Sequence, residues 1–447
     1  MSSNNPKLSA LGKLTIGAES NFGEPASGGN TKYVKAVSVD LSGLEKAALV
    51  DEHQRQGDYR TAVTVGPATG TITTVHYLSG WSSSIPSTAP AMATPLATGG
   101  PSTLDGWMML RAAIGSALGN IHVGGFANDV NTATSSTDAV NCTAGTGGTA
   151  FTTGQAVAFV DANGMGHVNY AKSVTSGTVV LLQTAKGTVK DPDGDAGTHN
   201  GILHGGWTAY QTTGPTYHEL TTGCQGFTLT ASGHDSDDAI TASGCLPTNI
   251  AFSMPIGELP TMTITWGVSH WSEVGSGGLG GGALVAEDWA NSSGVAFPLC
   301  EPFVTGWVTK GNSQANPMRV SSIECDLGVE RPAIADPSFT SGIGGFGPIR
   351  RAPQVSYSVF RDFSEEVTDF LDQTGETYSF TLGTQPGKMV NICIPNGRVL
   401  EYPSRGDEDG AVTSSVTVAA NYYDGDTGAT PTDQSTPIDS DFRIAFC

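Results

Sequence analysis

A mainly-β fold built from two tandem modules is predicted by three features of this 447-residue chain. Apolar residues recur at alternate positions in many short runs, the period of a half-buried strand. Turn formers are abundant, with 59 glycines and 24 prolines. A succession of strand, long loop, strand, helix and three strands occurs twice in the same order. Charged residues are 14% of the chain, against about 25% in an ordinary domain. Hydrophobic residues are 38%, enough for packed cores, and the length accommodates several domains.

Residues 1–30 are polar and rich in Gly, Ser and Asn, and read as an arm that is ordered only if something holds it. The first module is expected over 31–139 and 220–274. Its first strand runs from Tyr33 to Asp40, with Val37 and Val39 at alternate positions. A long polar segment, 41–60, precedes a second alternating strand, Thr71–Leu78. A helix follows, capped by Ser102 or Thr103, with Leu104, Trp107, Met108 and Ile114 on one face. Residues 140–219 break the pattern. Their strands are punctuated by Asn163-Gly164 and Ser176-Gly177, which marks a small inserted β domain. The module resumes with strands at Phe227–Thr230, Leu246–Met254 and Pro260–Trp271.

A Gly-rich linker is expected over 275–300, and the second module over 301–447. Strand Arg319–Asp326 repeats 33–40: Val320 matches Val34, Ile323 matches Val37 and Asp326 matches Asp40. A Gly/Pro-rich loop to Arg350 matches the first long loop, and Gln354–Arg361 matches 69–77. A short helix is capped by Ser364, with acids in its first turn. Phe380-Thr381-Leu382 repeats Phe227-Thr228-Leu229, and Cys393-Ile394-Pro395 repeats Cys245-Leu246-Pro247. The strand Ala411–Tyr423 then matches 260–271.

These segments resemble the two-repeat phage tail tube proteins. The likeness is carried by "GAESNFGEPASGGNTKYVKAVSVDL", where an xExxFGxP segment leads into the first strand. It is carried also by "AFSMPIGELPTMTITWGVSHW", by "PFVTGWVTKGN" before "VSSIECDLGVERPAI", and by the closing "DSDFRIAFC". The resemblance implies β-sandwich or partly rolled barrel units that form stacked rings, a hollow conduit for a genome in a virion. Six units around a ring would need three chains of this two-unit kind. Its partners would be further copies of itself, a tape measure protein and terminator or tip proteins, with DNA only in transit and no membrane.

Under that resemblance the long loops are expected to reach neighbouring subunits, since they exceed hairpin length. The residues concerned are Leu44, Glu45, Asp51, Glu52, Arg55, Tyr59 and Arg60, with Glu330, Arg331, Phe339, Phe346 and Arg350 in the second loop. Asp40, Glu324 and Asp326 are the acids expected to face the bore. The alternatives are another β-rich virion protein, for decoration or receptor binding, and a secreted sugar- or calcium-binding β-sandwich.

Charge restricts the function classes. The formal net charge is −21, the wrong sign for gripping phosphates. No GxSxG, HExxH or P-loop motif occurs, so no catalytic residue, metal ligand or cofactor is assigned. The Asp191–Asp195 run departs from a calcium loop, with Ile202 where the bidentate Glu belongs, and reads as an acidic turn. The seven cysteines are scattered without a CxxC pair and read as reduced, buried thiols. Trp266 and Trp271 read as core or interface aromatics.

Overall fold

The computed structural model describes residues 13–19, 21–26, 31–34, 36–50, 63–78, 118–121, 127–129, 139–141, 156–160, 166–175, 179–182, 202–205, 207–211, 226–232, 239–274, 306–310, 320–339, 341–347, 352–360, 364–373, 375–383, 389–408, 410–421, 423 and 442–446. The described part is mainly β, with one short helix, Ser364–Asp372. Nineteen strands share one hydrogen-bonded network, six form a second sheet, and Ala333–Ala335 pairs with Ile343–Phe346.

Within the large network the same antiparallel pairing order occurs twice. In the N-terminal unit Ser38–Asp40 pairs with Val63–Tyr77, which pairs with Thr261–Val268, which pairs with the second half of Ala239–Pro255. In the C-terminal unit Val320–Asp326 pairs with Gln354–Val359, then Ala411–Ala420, then Val390–Val399 and its continuation Ser404–Glu408. A second layer repeats as well. It runs Lys13–Ala18, Phe227–Ser232, the first half of Ala239–Pro255, and His270–Val274. Its counterpart runs Gly306–Lys310, Glu376–Leu382, Val390–Val399 and Arg443–Phe446.

In each unit one long strand serves both layers. In the N-terminal unit it turns the corner at Gly244, whose φ of 60° is the left-handed region that a side chain disfavours. The neighbouring chain breaks at the same level, between Thr261–Val268 and His270–Val274. Alternation drives the layers together. Met262, Ile264 and Trp266 point inward from one strand, and Phe252 and Met254 from the next. One hydrophobic cluster continues from Leu14 and Ile16 through Trp266 to Tyr357, Phe380 and Ile444, so both units share a core.

Several sequence expectations change. The polar N-terminal arm contains a strand, Lys13–Ala18, with Leu14 and Ile16 buried; Phe227–Ser232 and Thr31–Val34 flank it and supply the order. The single strand expected over 33–40 is two, Thr31–Val34 and Ser38–Asp40, which pair with different partners. The first long loop carries the strand Leu44–Val50, paired with Val63–Gly70, so an extended hairpin replaces much of it. The hairpin begins where Gly43 and Gly70 meet, too close for a side chain at either, and Gly70 has φ 144°. The helix expected near 102–114 lies outside the described residues.

The six-stranded sheet has the order Ala127–Asp129, Ile202–Gly205, Ala156–Val160, Gly166–Thr175, Val179–Leu182, Ala139–Asn141. Strands Leu118–Ile121 and Trp207–Gln211 flank it in sequence. They pair with each other, and Trp207–Gln211 also pairs with Arg443–Phe446 of the C-terminal unit. Val168 packs with Met389, Cys393 and Ala445. A segment inserted into the N-terminal unit therefore leans on the C-terminal one.

Candidate assembly interface

The two units join edge to edge. Ala251–Pro255 pairs antiparallel with Ser322–Asp326, and Leu327 N donates to Ile250 O at 3.0 Å while Ile256 N donates to Ser321 O at 3.1 Å. Below this seam Phe252, Met254, Ile323 and Cys325 are buried. Burial pushes the Cys325 thiol far up, with the Asp326 charge adding to the rise, so it is an inert core group. Cys245 and Cys393 are likewise buried free thiols.

A clasp beside the seam binds the units a second time. The Glu19 carboxylate is 2% exposed. Its Oε1 accepts from Gly244 N at 2.8 Å and Thr228 Oγ at 2.9 Å, and its Oε2 accepts from Gly23 N at 2.8 Å. Gly226 is held so near the carboxylate that a Cβ there would strike it. The carboxylate thus ties the turn 19–24 to two strands some 200 residues away in sequence. Phe22, carried on that turn, meets Phe339 and Phe346 edge-on, with ring centroids 6.2 and 6.4 Å apart. Ser269 Oγ shares a 3.0 Å hydrogen bond with Ser341 Oγ and donates to Ile343 O. The loop of the C-terminal unit is therefore seated on the N-terminal unit.

Gly267 forms part of that seat. A Cβ there would lie 2.7 Å from the Phe346 ring. Gly267→Val is expected to expel Phe346 and to cost about 2–4 kcal/mol, the range for overpacking plus a lost aromatic. Chemical denaturation measures the loss; a change under about 0.5 kcal/mol would mean that the ring is not seated there.

The seam makes one sheet of both units, buried on one side. The other side is rich in hydroxyl groups. Thr73 opposes Thr265, Ser253 opposes Thr261 and Glu324, Ser322 opposes Ser358, and Ser356 bonds Thr417 at 3.0 Å. Across the seam itself the charged residues on this face are Glu324 and Asp326, both exposed. Asp40 is exposed at the end of its strand and accepts from Ser42 N, which holds its carboxyl below the ordinary range. Asp326 makes the same turn with Gly328 N at 2.8 Å.

The loop candidates separate into several environments. Leu44 packs against the core and Glu45 O accepts from Trp271 Nε1 at 3.0 Å, so the hairpin base is anchored within its own unit. Glu330 is exposed and Arg331 half-buried. Phe346 is buried over Gly267, Phe339 is half-buried, and both rings pack on Phe22 of the same chain. Asp51, Glu52, Arg55, Tyr59, Arg60 and Arg350 lie outside the described residues.

Sequence reasoning missed Glu19 as a clasp and the hydroxyl face as a feature. The second was present in the Thr/Ser spacing of TITTVHY, TMTITWG and QVSYSV. Among the described residues no cluster of three or more His, Cys, Asp or Glu could hold a metal, and no helix is long and apolar enough to cross a membrane. No protein-family model matches the chain, and no curated protein matches it.

Proposed function

We propose that this chain is a structural subunit that assembles with copies of itself into stacked rings forming a hollow tube, as in a phage tail. One observation carries the reading: two units of the same strand order are fused by strand pairing into one sheet, apolar beneath and hydroxyl-rich above. On this reading each unit is a tube module, and the duplicated module supplies two ring positions.

A sheet of this kind curls when repeated around an axis, and a heterologous contact closes into a ring when its rotation divides a circle. The hydroxyl face then lines the bore. Hydroxyls keep it wet without fixed positive charge, and Glu324 and Asp326 repel a polyanion, so DNA slides rather than binds. The net charge of −21 agrees with this role. The inserted sheet, leaning on the second layer of the C-terminal unit, would decorate the outside.

Negative-stain microscopy of the concentrated protein tests the reading. Hollow filaments of uniform width are expected, and averaged cross-sections should show three chains as six similar lobes. Solid fibres, or six chains around each ring, would reject the model of one chain for two ring positions.

A further inference from the structure

We propose that the seam inside the chain is the template for the contact between chains, so that the edge at Val37–Asp40 of one copy receives the strand Ser404–Glu408 of the next. The proposal rests on the tube reading for its biological meaning but stands on its own geometry.

The internal seam joins the last strand position of one unit to the first strand position of the other. Each of those positions recurs once more in the chain. The first position of the N-terminal unit is Ser38–Asp40, which pairs only with Val63–Tyr77 among the described residues. The last position of the C-terminal unit is the continuation Ser404–Glu408, which pairs only with Ala411–Ala420 among them. One chain thus ends in two unlike edges of the kinds that the seam already joins. Such edges invite a partner strand.

Both edges are flanked by large apolar side chains in water. Val37 and Tyr77 are 47% and 39% exposed at one; Leu400, Tyr402 and Val412 are 46%, 58% and 42% exposed at the other. Antiparallel pairing brings the Arg405 end of one strand to the Asp40 end of the other, as Ala251 faces Asp326 inside the chain. The occupant is a second copy of this chain because the two edges match each other and not themselves. The contact is head-to-tail, and it propagates around a ring rather than stopping at a dimer.

Two variants of the full chain test it, with mass measured by light scattering on a sizing column. Ser38→Pro removes a donor from the receiving edge, and Arg405→Pro removes one from the inserting edge. Wild type is expected to form large assemblies. Each variant alone should remain at 45.9 kDa, and an equal mixture should give one species of twice that mass, since one good junction remains. Circular dichroism and melting confirm that each variant is folded. If proline unfolds either, the pair Ser38→Cys and Asp407→Cys replaces it, and oxidation should link chains into a ladder absent from both single variants.

Assembly surviving in both proline variants, a mixture that stays monomeric, or no ladder would overturn the proposed junction while leaving the tube reading standing if filaments form. Rings that form through this junction but never stack would instead reject the tube and keep the junction. A wild type that is monomeric at every concentration sinks both.

Discussion

Glu19→Ala is expected to lower the free energy of unfolding by about 2–4 kcal/mol. The substitution removes the acceptor of Gly23 N, Gly244 N and the Thr228 hydroxyl at once. A buried donor left without an acceptor costs about 1–3 kcal/mol, so the loss exceeds that of one ordinary hydrogen bond. Recovery of the desolvation cost of the carboxylate offsets part of it. The turn carrying Phe22 should loosen as well, exposing Phe339 and Phe346 to protease and to hydrogen exchange. Unchanged exchange in 336–347 would show that the seat does not depend on the clasp.

The same residue gives a pH signature. Burial, the largest influence, raises the Glu19 carboxyl above its ordinary value of 4.5, against the donors of Gly244, Gly23 and Thr228 and with the nearby Glu24 charge adding to the rise. A group with a raised folded pKa holds its proton more tightly in the fold. Its stabilising share is complete below the unfolded value and is lost as the pH climbs through the folded one. The melting midpoint of wild type relative to Glu19→Gln should therefore fall as the pH rises from 4.5 and level off above the raised value. A difference that grows with pH would mean that the three donors outweigh burial.

Trp266→Ala is the second large effect, at about 3–5 kcal/mol. Trp266 is fully buried, its indole N–H donates to Thr74 Oγ at 3.0 Å, and its ring meets Phe227 edge-on at 6.3 Å. Alanine leaves a large cavity and strands the buried Thr74 hydroxyl in an apolar site. For a unit of ordinary stability that is a large fraction of the total. Trp266→Phe fills most of the hole and should recover more than half of the loss. Equal melting points for wild type and Trp266→Ala would place this ring outside the core.

Much of the strand content was legible because alternation is a local signal. TMTITWG states which residues face inward, and Met262, Ile264 and Trp266 do so. The paired order of matches between 33–40 and 319–326, and between 227–229 and 380–382, anticipated strands that occupy like positions in the two units. Leu44–Val50 was not legible. Its sequence, LEKAALV, suits a helix as well as a strand, and pairing with Val63–Gly70 decides the matter. Lys13–Ala18 was hidden by polar neighbours, although its own Leu14 and Ile16 alternate. Glu19 could not be assigned a role, since its acceptor duty depends on Thr228 and Gly244, which only the folded chain brings near. The seat of Phe346 was hidden for the same reason: a Gly-rich loop looks solvent-facing until Gly267 is known to leave room beneath it.

The strands Leu118–Ile121 and Trp207–Gln211 finish their sheet on Arg443–Phe446. On a ribosome, Trp207–Gln211 emerges long before the strand that it will flank. Until then its outer edge has no native partner from the C-terminal unit, and Val168 has no Met389 or Ala445 to cover it. The early segment therefore reaches its complete pairing only once Arg443–Phe446 has been made. A chain interrupted before residue 443 would carry an unfinished sheet beside its inserted one, and would be recognisable as incomplete to any quality-control protease.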